Sequence, residues 1–188
     1  HLRTRRQRQM CIRDRGYRTK PVKNMILDMT MFYNIYDNLR TNESISSLAS
    51  PPDPFSARPF DNLAEATTYG FELSAKYDIS DNWQLSGAYT FLNIDVDRDV
   101  NSNDSLVEND ETRSPEHQFN VRSNIYLPRN FQISNTLYFV DDLVLGSSSN
   151  EDIPAYFRFD TKISWKPRPN IELSLSLIHI SEPTRQDR

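Results

Sequence analysis

The 188-residue chain is poor in the residues on which many small folds and sites depend. It has a single cysteine, Cys11, so no disulfide can form within it. Its four glycines do not form a phosphate-binding motif. No apolar run approaches the roughly 18 residues that a membrane-spanning helix needs. These residues therefore encode neither a disulfide-stapled domain nor a phosphate-loop site nor a transmembrane helix.

The chain does have a long alternation of apolar and polar residues between Tyr69 and Phe91. In the first half the odd positions are apolar as far as Ile79, and the even positions are small or polar. After a turn at 80–82 the alternation resumes at Trp83. A period of two is typical of a strand, so this stretch predicts a β-hairpin with one apolar and one polar face.

The same alternation recurs along the chain and predicts an all-β fold. Past Phe91 the apolar phase slips to Leu92, Ile94 and Val96, and we expect a bulge near Asn93 to allow the slip. The predicted complete strands are 25–38, 65–79, 83–96, 116–127, 131–144 and 153–166, with a strand tail at 16–19 and the start of another strand at Ile171.

The predicted connections alternate in length. Those at 20–23, 80–82, 128–130 and 167–170 are short, whereas 39–64, 97–113 and 145–152 are long and polar. Prolines in the first long connection prevent regular ladder pairing there. Short turns on one side and long loops on the other are typical of outer-membrane barrels.

Aromatic residues stand eight positions apart at the two ends of the apolar stripes. Eight steps of about 3.3 Å, tilted by about 40°, separate two aromatic levels by roughly 20 Å, which is near the height of a barrel's apolar band. We therefore predict an antiparallel meander of six complete long strands plus strand stubs, an open segment of a large transmembrane β-barrel. The predicted membrane-belt aromatics are Tyr77, Trp83, Phe131 and Trp165 near the short turns, and Tyr33, Tyr69, Phe91, Phe139 and Phe157 near the long loops.

Both ends of the chain depart from this pattern. The sequence RRQRQMCIRDR at 5–15 resembles an in-frame translation of a transposase-type sequencing adaptor, and LSLIHISEPTR at 175–185 resembles the partner adaptor. We expect 1–15 and 175–188 to be adaptor-derived, 1–15 to be disordered, and 16–174 to be a partial outer-membrane barrel. The basic run at the start is then no nucleic-acid patch, and nucleic acid is not an expected partner.

Candidate chemical sites are few. His117 is the one histidine within 16–174, and without a partner histidine or a nucleophile motif the chain is not expected to be an enzyme. We interpret His117 as a residue of the barrel rim. The acidic run from Asp95 to Glu111 has Val100 and Leu106 where a calcium loop needs glycine and glutamate, so we interpret it as a solvated loop and predict no metal site or cofactor.

Charged residues on the polar face are interpreted as cross-strand ion pairs in a wet interior. These are Glu72, Lys76, Arg122, Arg158, Asp160 and Lys162. The first long connection supplies cationic and aromatic residues that suit an anionic, aromatic ligand. These ligand-loop candidates are Arg40, Phe55, Arg58 and Phe60.

Five segments together resemble the C-terminal half of a TonB-dependent outer-membrane receptor barrel. They are YGFELS at 69–74, SPEHQF at 114–119, LPRN at 127–130, YFVDDL at 138–143 and IPAYFRFDTKISWKPRPNIELSL at 153–175. In a family barrel of 22 strands they would correspond to about strands 15 to 20 and the start of strand 21.

The resemblance implies import of a scarce ligand, such as a ferric siderophore, across the outer membrane of a Gram-negative bacterium. It also implies three partners: outer-membrane lipid, the ligand, and a TonB complex reached through a plug absent from this segment. The segment by itself is expected not to transport. Two alternatives are part of a passive porin-like barrel and a soluble β-sandwich binding module.

Overall fold

The computed structural model describes residues 9–43, 60–104, 107–144 and 152–181. Each strand pairs antiparallel with its neighbours in sequence, in one sheet of order β1 to β8. The predicted all-β antiparallel meander is confirmed. No helix in the described ranges is long and apolar enough to span a membrane. The strands are β1 (Gln9–Thr19), β2 (Met25–Asn42), β3 (Phe60–Ser80), β4 (Trp83–Arg98), β5 (His117–Leu127), β6 (Phe131–Val140), β7 (Tyr156–Arg168) and β8 (Ile171–Ser181).

Strand ends near the long connections differ from the prediction. β2 continues to Asn42 and β3 begins at Phe60, so this hairpin reaches further than the sequence pattern indicated. In contrast, β6 ends at Val140 and β7 begins at Tyr156. Among the residues that the structure describes in this connection, an isolated bridge between Leu143 and Ile153 continues the pairing. Backbone ladders extend wherever a partner strand lies alongside, and side-chain alternation does not report that partner.

The outermost strands are longer than predicted. Residues 9–15, expected to be disordered, pair with β2 from Gln9 opposite Asp37 onward. β8 likewise runs to Ser181 beside β7. The expectation of disorder is therefore wrong for 9–15. The physical reason is that an uncovered strand edge offers backbone groups that pair with an adjacent chain of almost any sequence.

The pairing register defines two faces of the sheet. Directly opposite residues of an antiparallel pair share a face, and odd-numbered residues are partnered with odd-numbered ones in β3–β6, except beside the β3–β4 turn, where Ser80 is opposite Trp83. Tyr33, for example, is opposite Tyr69, and Phe139 is opposite Phe157. We call the face of these residues the outer face, and the face of the even-numbered residues, which holds most of the residues that line two cavities, the inner face.

The bulge predicted near Asn93 is absent. Pairing between β3 and β4 runs without a shift from Asp78 opposite Gln84 to Ala64 opposite Arg98. The irregularity lies instead in β2, between Tyr36 and Thr41. Asn38 there has φ of 58°, a left-handed conformation that asparagine tolerates better than most residues.

The inner face becomes apolar at the end of the sheet near the long connections. Four small or branched side chains are buried there, each at most 8% exposed, and the last of them belongs to a 3₁₀ helix, Val107–Arg113. This helix packs over the inner face and removes apolar surface from water. The buried residues are Ala64, Ala66, Val96 and Val107, with Tyr36, Leu39 and Ile94 packed against them.

The predicted turn at 128–130 is a tight 3₁₀ turn, Pro128–Asn130. Arg129 and Asn130 have φ of 62° and 61°. Pro128 suits the first position of such a turn because its φ is already constrained. The Asn130 side-chain amide donates to the Lys166 carbonyl at 3.2 Å, so the turn is tied to the neighbouring strand.

Candidate membrane face and ligand site

One group of aromatic side chains lies on the outer face near the short turns. The Phe131 and Trp165 rings stack with centroids 5.3 Å apart. The Trp165 indole N–H donates to the Arg129 carbonyl at 3.2 Å, and the Trp83 indole N–H donates to the Ser123 hydroxyl at 3.0 Å. Exposed aromatic rings with satisfied polar tips suit a membrane interface. The predicted members of this group are Tyr77, Trp83, Phe131 and Trp165.

A second aromatic group lies on the outer face near the long connections. The ring centroids of Phe119 and Phe139 are 5.2 Å apart, and those of Phe139 and Phe157 are 4.9 Å apart. Tyr69 meets Phe91 edge-on at 6.4 Å. The structure thus brings the residues of each predicted belt to one end of one face, while their contact with lipid stays a prediction. The predicted members of this group are Tyr33, Tyr69, Phe91, Phe139 and Phe157.

His117 belongs to this second aromatic group. Its Nδ1 lies 2.8 Å from the Tyr89 hydroxyl, and its ring centroid is 5.3 Å from that of Phe91. It stands at the first residue of β5, at the end of the outer face. The contact with Tyr89 occupies the imidazole in a local structural role.

The outer face has a polar contact halfway between the two aromatic groups. Asn135 lies midway between Phe131 and Phe139 in β6, and its direct partner in β7 is Thr161. The Thr161 hydroxyl donates to the Asn135 side-chain oxygen at 2.9 Å. The two polar groups therefore satisfy each other in part on an otherwise apolar stretch.

The inner face carries ion pairs, as the sequence indicated, although not all of them cross strands. Lys162 in β7 lies 4.0 Å from the Glu172 carboxylate in β8. Arg158 and Asp160 pair along β7 at 3.1 Å. The Arg158 guanidinium also lies 4.1 Å from the centre of the Tyr138 ring. Of the six predicted residues, Arg158 and Asp160 thus pair along a strand and Lys162 pairs across strands, whereas Arg122 donates to the Thr136 hydroxyl at 3.2 Å.

A cavity of about 360 Å³ lies on the inner face near the long connections. Arg40 lines it, and its guanidinium carbon is 4.7 Å from the Phe60 ring centroid. Two of the four ligand-loop candidates are therefore adjacent, whereas Phe55 and Arg58 lie outside the described residues. The cavity is lined by Tyr36, Leu39, Arg40, Ala66, Thr68, Ile94, Val96 and Val107.

The acidic loop uses its carboxylates to hold protein segments together. Glu111 accepts a hydrogen bond from the Val96 backbone N–H at 2.7 Å, and Glu108 lies 3.6 Å from Arg98. Asp99 accepts the Asn101 N–H at 2.8 Å. Within the described ranges, no three histidine, cysteine or acidic residues are grouped so as to hold a metal ion. The side chain of Asp110 is outside the described ones.

Glu43, at the end of β2, was not identified from the sequence. Its carboxylate accepts hydrogen bonds from the Ser102 hydroxyl at 2.6 Å and the Asn103 backbone N–H at 2.5 Å. Partial burial acts to raise its pKa, but these hydrogen bonds, together with the charge of Arg98, prevail and lower it. Since the partners are 59 and 60 residues away in sequence, no local pattern could have indicated them.

These features define a class of protein. A meander of long strands, with an apolar face bounded by two aromatic levels and a polar face bearing ion pairs and cavities, is a wall segment of a large transmembrane-type β-barrel. The family model described as "TonB dependent receptor-like, beta-barrel" matches residues 16–178. The chain therefore belongs to this family, as its sequence motifs indicated.

Individual relatives agree with this assignment. The chain is 24% identical over 131 residues to the probable TonB-dependent siderophore receptor PiuA of Acinetobacter baumannii, a match that covers 64% of this chain and 17% of that protein. The chain thus spans less than a fifth of this curated relative.

Solved structures show the same fold. The crystal structure of the siderophore receptor PiuA from Acinetobacter baumannii has a TM-score of 0.64 at 18% identity, covering 90% of this chain and 23% of that one. The FrpB iron transporter from Neisseria meningitidis has a TM-score of 0.72 at 11% identity, covering 93% and 27%. At these identities the likeness concerns the fold alone.

Proposed function

We propose that the chain is part of a TonB-dependent receptor that imports a scarce ligand, such as a ferric siderophore, across the outer membrane of a Gram-negative bacterium. The observation that carries the proposal is the outer face, apolar between two aromatic groups that lie eight residues apart on successive strands. Family membership and a siderophore receptor among the relatives support it. The role is transport, with no catalysis.

In this proposal the short turns face the periplasm and the long connections face the outside. Tyr77, Trp83, Phe131 and Trp165 then form the periplasmic belt. The 360 Å³ cavity and the Arg40–Phe60 contact lie at the external end, where a ligand arrives. The energy for import comes from a TonB complex acting on a plug that other parts of the receptor supply.

The proposed ligand is an anionic chelate with aromatic groups, because Arg40 lines the cavity and the Phe60 ring lies beside the Arg40 guanidinium, so that a cation and a ring are close together there. The test is a titration of the complete receptor with a ferric tris-catecholate, followed by fluorescence quenching. Arg40→Ala is expected to raise Kd about tenfold, the equivalent of roughly 1.4 kcal/mol.

Arg158→Ala is the matched control, since Arg158 also lies over an aromatic ring on the inner face but does not line this cavity. Equal losses of affinity in both variants would indicate a general effect of positive charge and would contradict a specific role of Arg40 in binding.

We further propose that 1–15 and 175–188 derive from adaptors and that 16–174 is the barrel segment. The side-chain pattern supports this proposal. Arg13 and Arg15 fall on the outer face, opposite Tyr33 and Met31. Arg15 therefore lies inside the predicted belt level of Tyr33, where a lipid-facing arginine becomes more unfavourable with depth, up to about 2–4 kcal/mol at the midplane. At the other end Ile178 on the inner face is opposite Asp160.

One long sequencing read through the source DNA across the codons for 15–16 and 174–175 tests these boundaries. We expect the reading frame to continue upstream into further strands and a plug, and downstream into a final strand. Genuine genomic codons for both tails would refute the adaptor origin.

A further inference from the structure

The end of β2 and the 99–104 turn are joined by carboxylates from both sides. Glu43 accepts its two hydrogen bonds from Ser102 and Asn103 of the turn. In the opposite direction, the Asp104 carboxylate accepts the backbone N–H of Asn42 at 2.7 Å. Each segment thus supplies one carboxylate to the other. We call Glu43 and Asp104 the carboxylate clamp.

The centre of the carboxylate clamp is shielded from water. Thr41 is 1% exposed and Ser102 is 7% exposed. The Ser102 hydroxyl accepts the Asp104 backbone N–H at 3.2 Å while it donates to Glu43, so Ser102 links the Glu43 carboxylate to the backbone of the residue that bears the second carboxylate. Hydrogen bonds to a carboxylate are roughly twice as strong as neutral ones. The two halves are therefore expected to act together.

The carboxylate clamp stands beside two residues that line the 360 Å³ cavity. Arg40 comes shortly before Asn42 in β2, and Val107 comes shortly after Asp104. Val107 is 8% exposed and packs on the buried apolar cluster of the inner face. The clamp thus ties the turn that precedes Val107 to the strand that carries Arg40, and both of these residues line the cavity.

We propose that Glu43 and Asp104 are positioning residues for ligand capture, which act as one clamp to keep the segment bearing Val107 at the cavity beside Arg40. The inference rests on the proposed function, since it assigns the proposed ligand to this cavity. If the cavity wall is already ordered before the ligand binds, less free energy is lost in ordering it during binding.

The first test is amide hydrogen exchange of the complete receptor without ligand. Glu43→Ala is expected to speed exchange of the Asn103 amide about tenfold, because a bond to a charged acceptor is lost. It is also expected to speed exchange at Asn42, whose own acceptor is Asp104. Faster exchange at the Asn103 amide without faster exchange at the Asn42 amide would show that Glu43 and Asp104 do not act as one clamp.

Two further variants sharpen this test. Glu65→Ala removes an exposed carboxylate from the outer face and is expected to change neither amide. Glu43→Gln keeps an acceptor for Asn103 and can donate to the Ser102 hydroxyl, so exchange is expected to stay within about twofold of the native rate. Equally fast exchange in Glu43→Gln and Glu43→Ala would contradict the proposal that Glu43 acts by holding its hydrogen-bond partners in position.

The second test is titration with a ferric tris-catecholate. Glu43→Ala is expected to raise Kd about tenfold with the number of binding sites unchanged, and Glu43→Gln is expected to restore native affinity. An unchanged Kd together with faster exchange would overturn the role in capture. If the native receptor does not bind this probe, the proposed ligand class fails, and hydrogen exchange alone decides whether the clamp exists.

Discussion

The two parts of β4 differ in polarity although they share one strand and one register. From Trp83 to Phe91 the outer-face side chains are apolar apart from Gly87, whereas Asn93, Asp95 and Asp97 continue the same face with polar and acidic groups. The pairing with β3 does not shift between the two parts. The difference therefore comes from the surroundings of the strand and not from its backbone.

The inner face changes in the opposite sense at the same level. On the inner face of β4, the polar residues Gln84 and Ser86 lie nearer the short turn. The apolar residues Ile94 and Val96 lie nearer the long connections, where they face the cavity and the 3₁₀ helix. An apolar side chain goes wherever water is excluded. In the proposed barrel, water is excluded on the lipid side between the two belts. Nearer the long connections, water is excluded in the loop-covered interior.

The largest expected effect compares an arginine placed at two levels of the outer face, one between the aromatic groups and one beyond them. Val121 is on the outer face opposite Gly87, halfway between the aromatic levels, and is 41% exposed. Val121→Arg is expected to lower the free energy of unfolding by about 2–4 kcal/mol, and Asn93→Arg by about 0–1 kcal/mol. Urea unfolding of the complete receptor in lipid vesicles measures both. Equal losses of unfolding free energy in the two variants would mean that the outer face between the aromatic groups does not contact lipid.

The next effect concerns the level at which the polarity changes, where Gly70 is opposite Leu92. A Cβ at Gly70 would overlap the Phe91 carbonyl oxygen and lie 2.7 Å from the Phe32 ring. Gly70→Ala is therefore expected to lose about 1–3 kcal/mol of stability through overpacking. Gly87→Ala is the control, since its nearest contact would be 3.4 Å away. The same urea unfolding measures both, and a neutral Gly70→Ala would show that the strands can separate at this level.

A smaller effect locates the lower boundary of the apolar part. The chain's two tryptophans, Trp83 and Trp165, both lie in the aromatic group near the short turns. Their fluorescence is expected to be quenched more by lipids brominated near the headgroup than by lipids brominated near the chain end. A tryptophan introduced by Val121→Trp should show the reverse order. Identical profiles would rule out a belt at this level.

The smallest expected effect is a pH dependence of the contacts near the long connections. The pKa of Glu43 is below its ordinary value of 4.5, so its stabilising contribution is complete above about pH 4.5 and is lost as the pH falls through the folded-state pKa. The charged groups around it are Arg98 and Asp104. We expect protection of the Asn103 amide, corrected for intrinsic rate, to fall only in this acidic range. An equal fall in Glu43→Gln would show that Glu43 is not the group responsible.

The sequence predicted the strands and the short turns well, because alternation and turn residues are local signals. It predicted both aromatic groups for the same reason, since a spacing of eight along a strand stays on one face. It failed at the strand ends near the long connections, where β2 reaches Asn42 and β6 stops at Val140. There the neighbouring strand, and not the residue itself, decides where pairing ends.

The phase slip after Phe91 was detected in the sequence but given the wrong cause. A bulge and a change of surroundings produce the same apolar pattern, and only the register distinguishes them. The candidate ligand site was predicted in part, since Arg40 and Phe60 are adjacent. The contacts of Glu43 could not be predicted, because they join segments about 60 residues apart whose approach depends on the folded sheet.

The meander also determines how such a protein can change over generations. Every strand pairs only with the strands before and after it in the chain, so a residue gained or lost in a long connection leaves every register in the wall unchanged. The long connections can therefore change in length and composition while the strands keep their pairing.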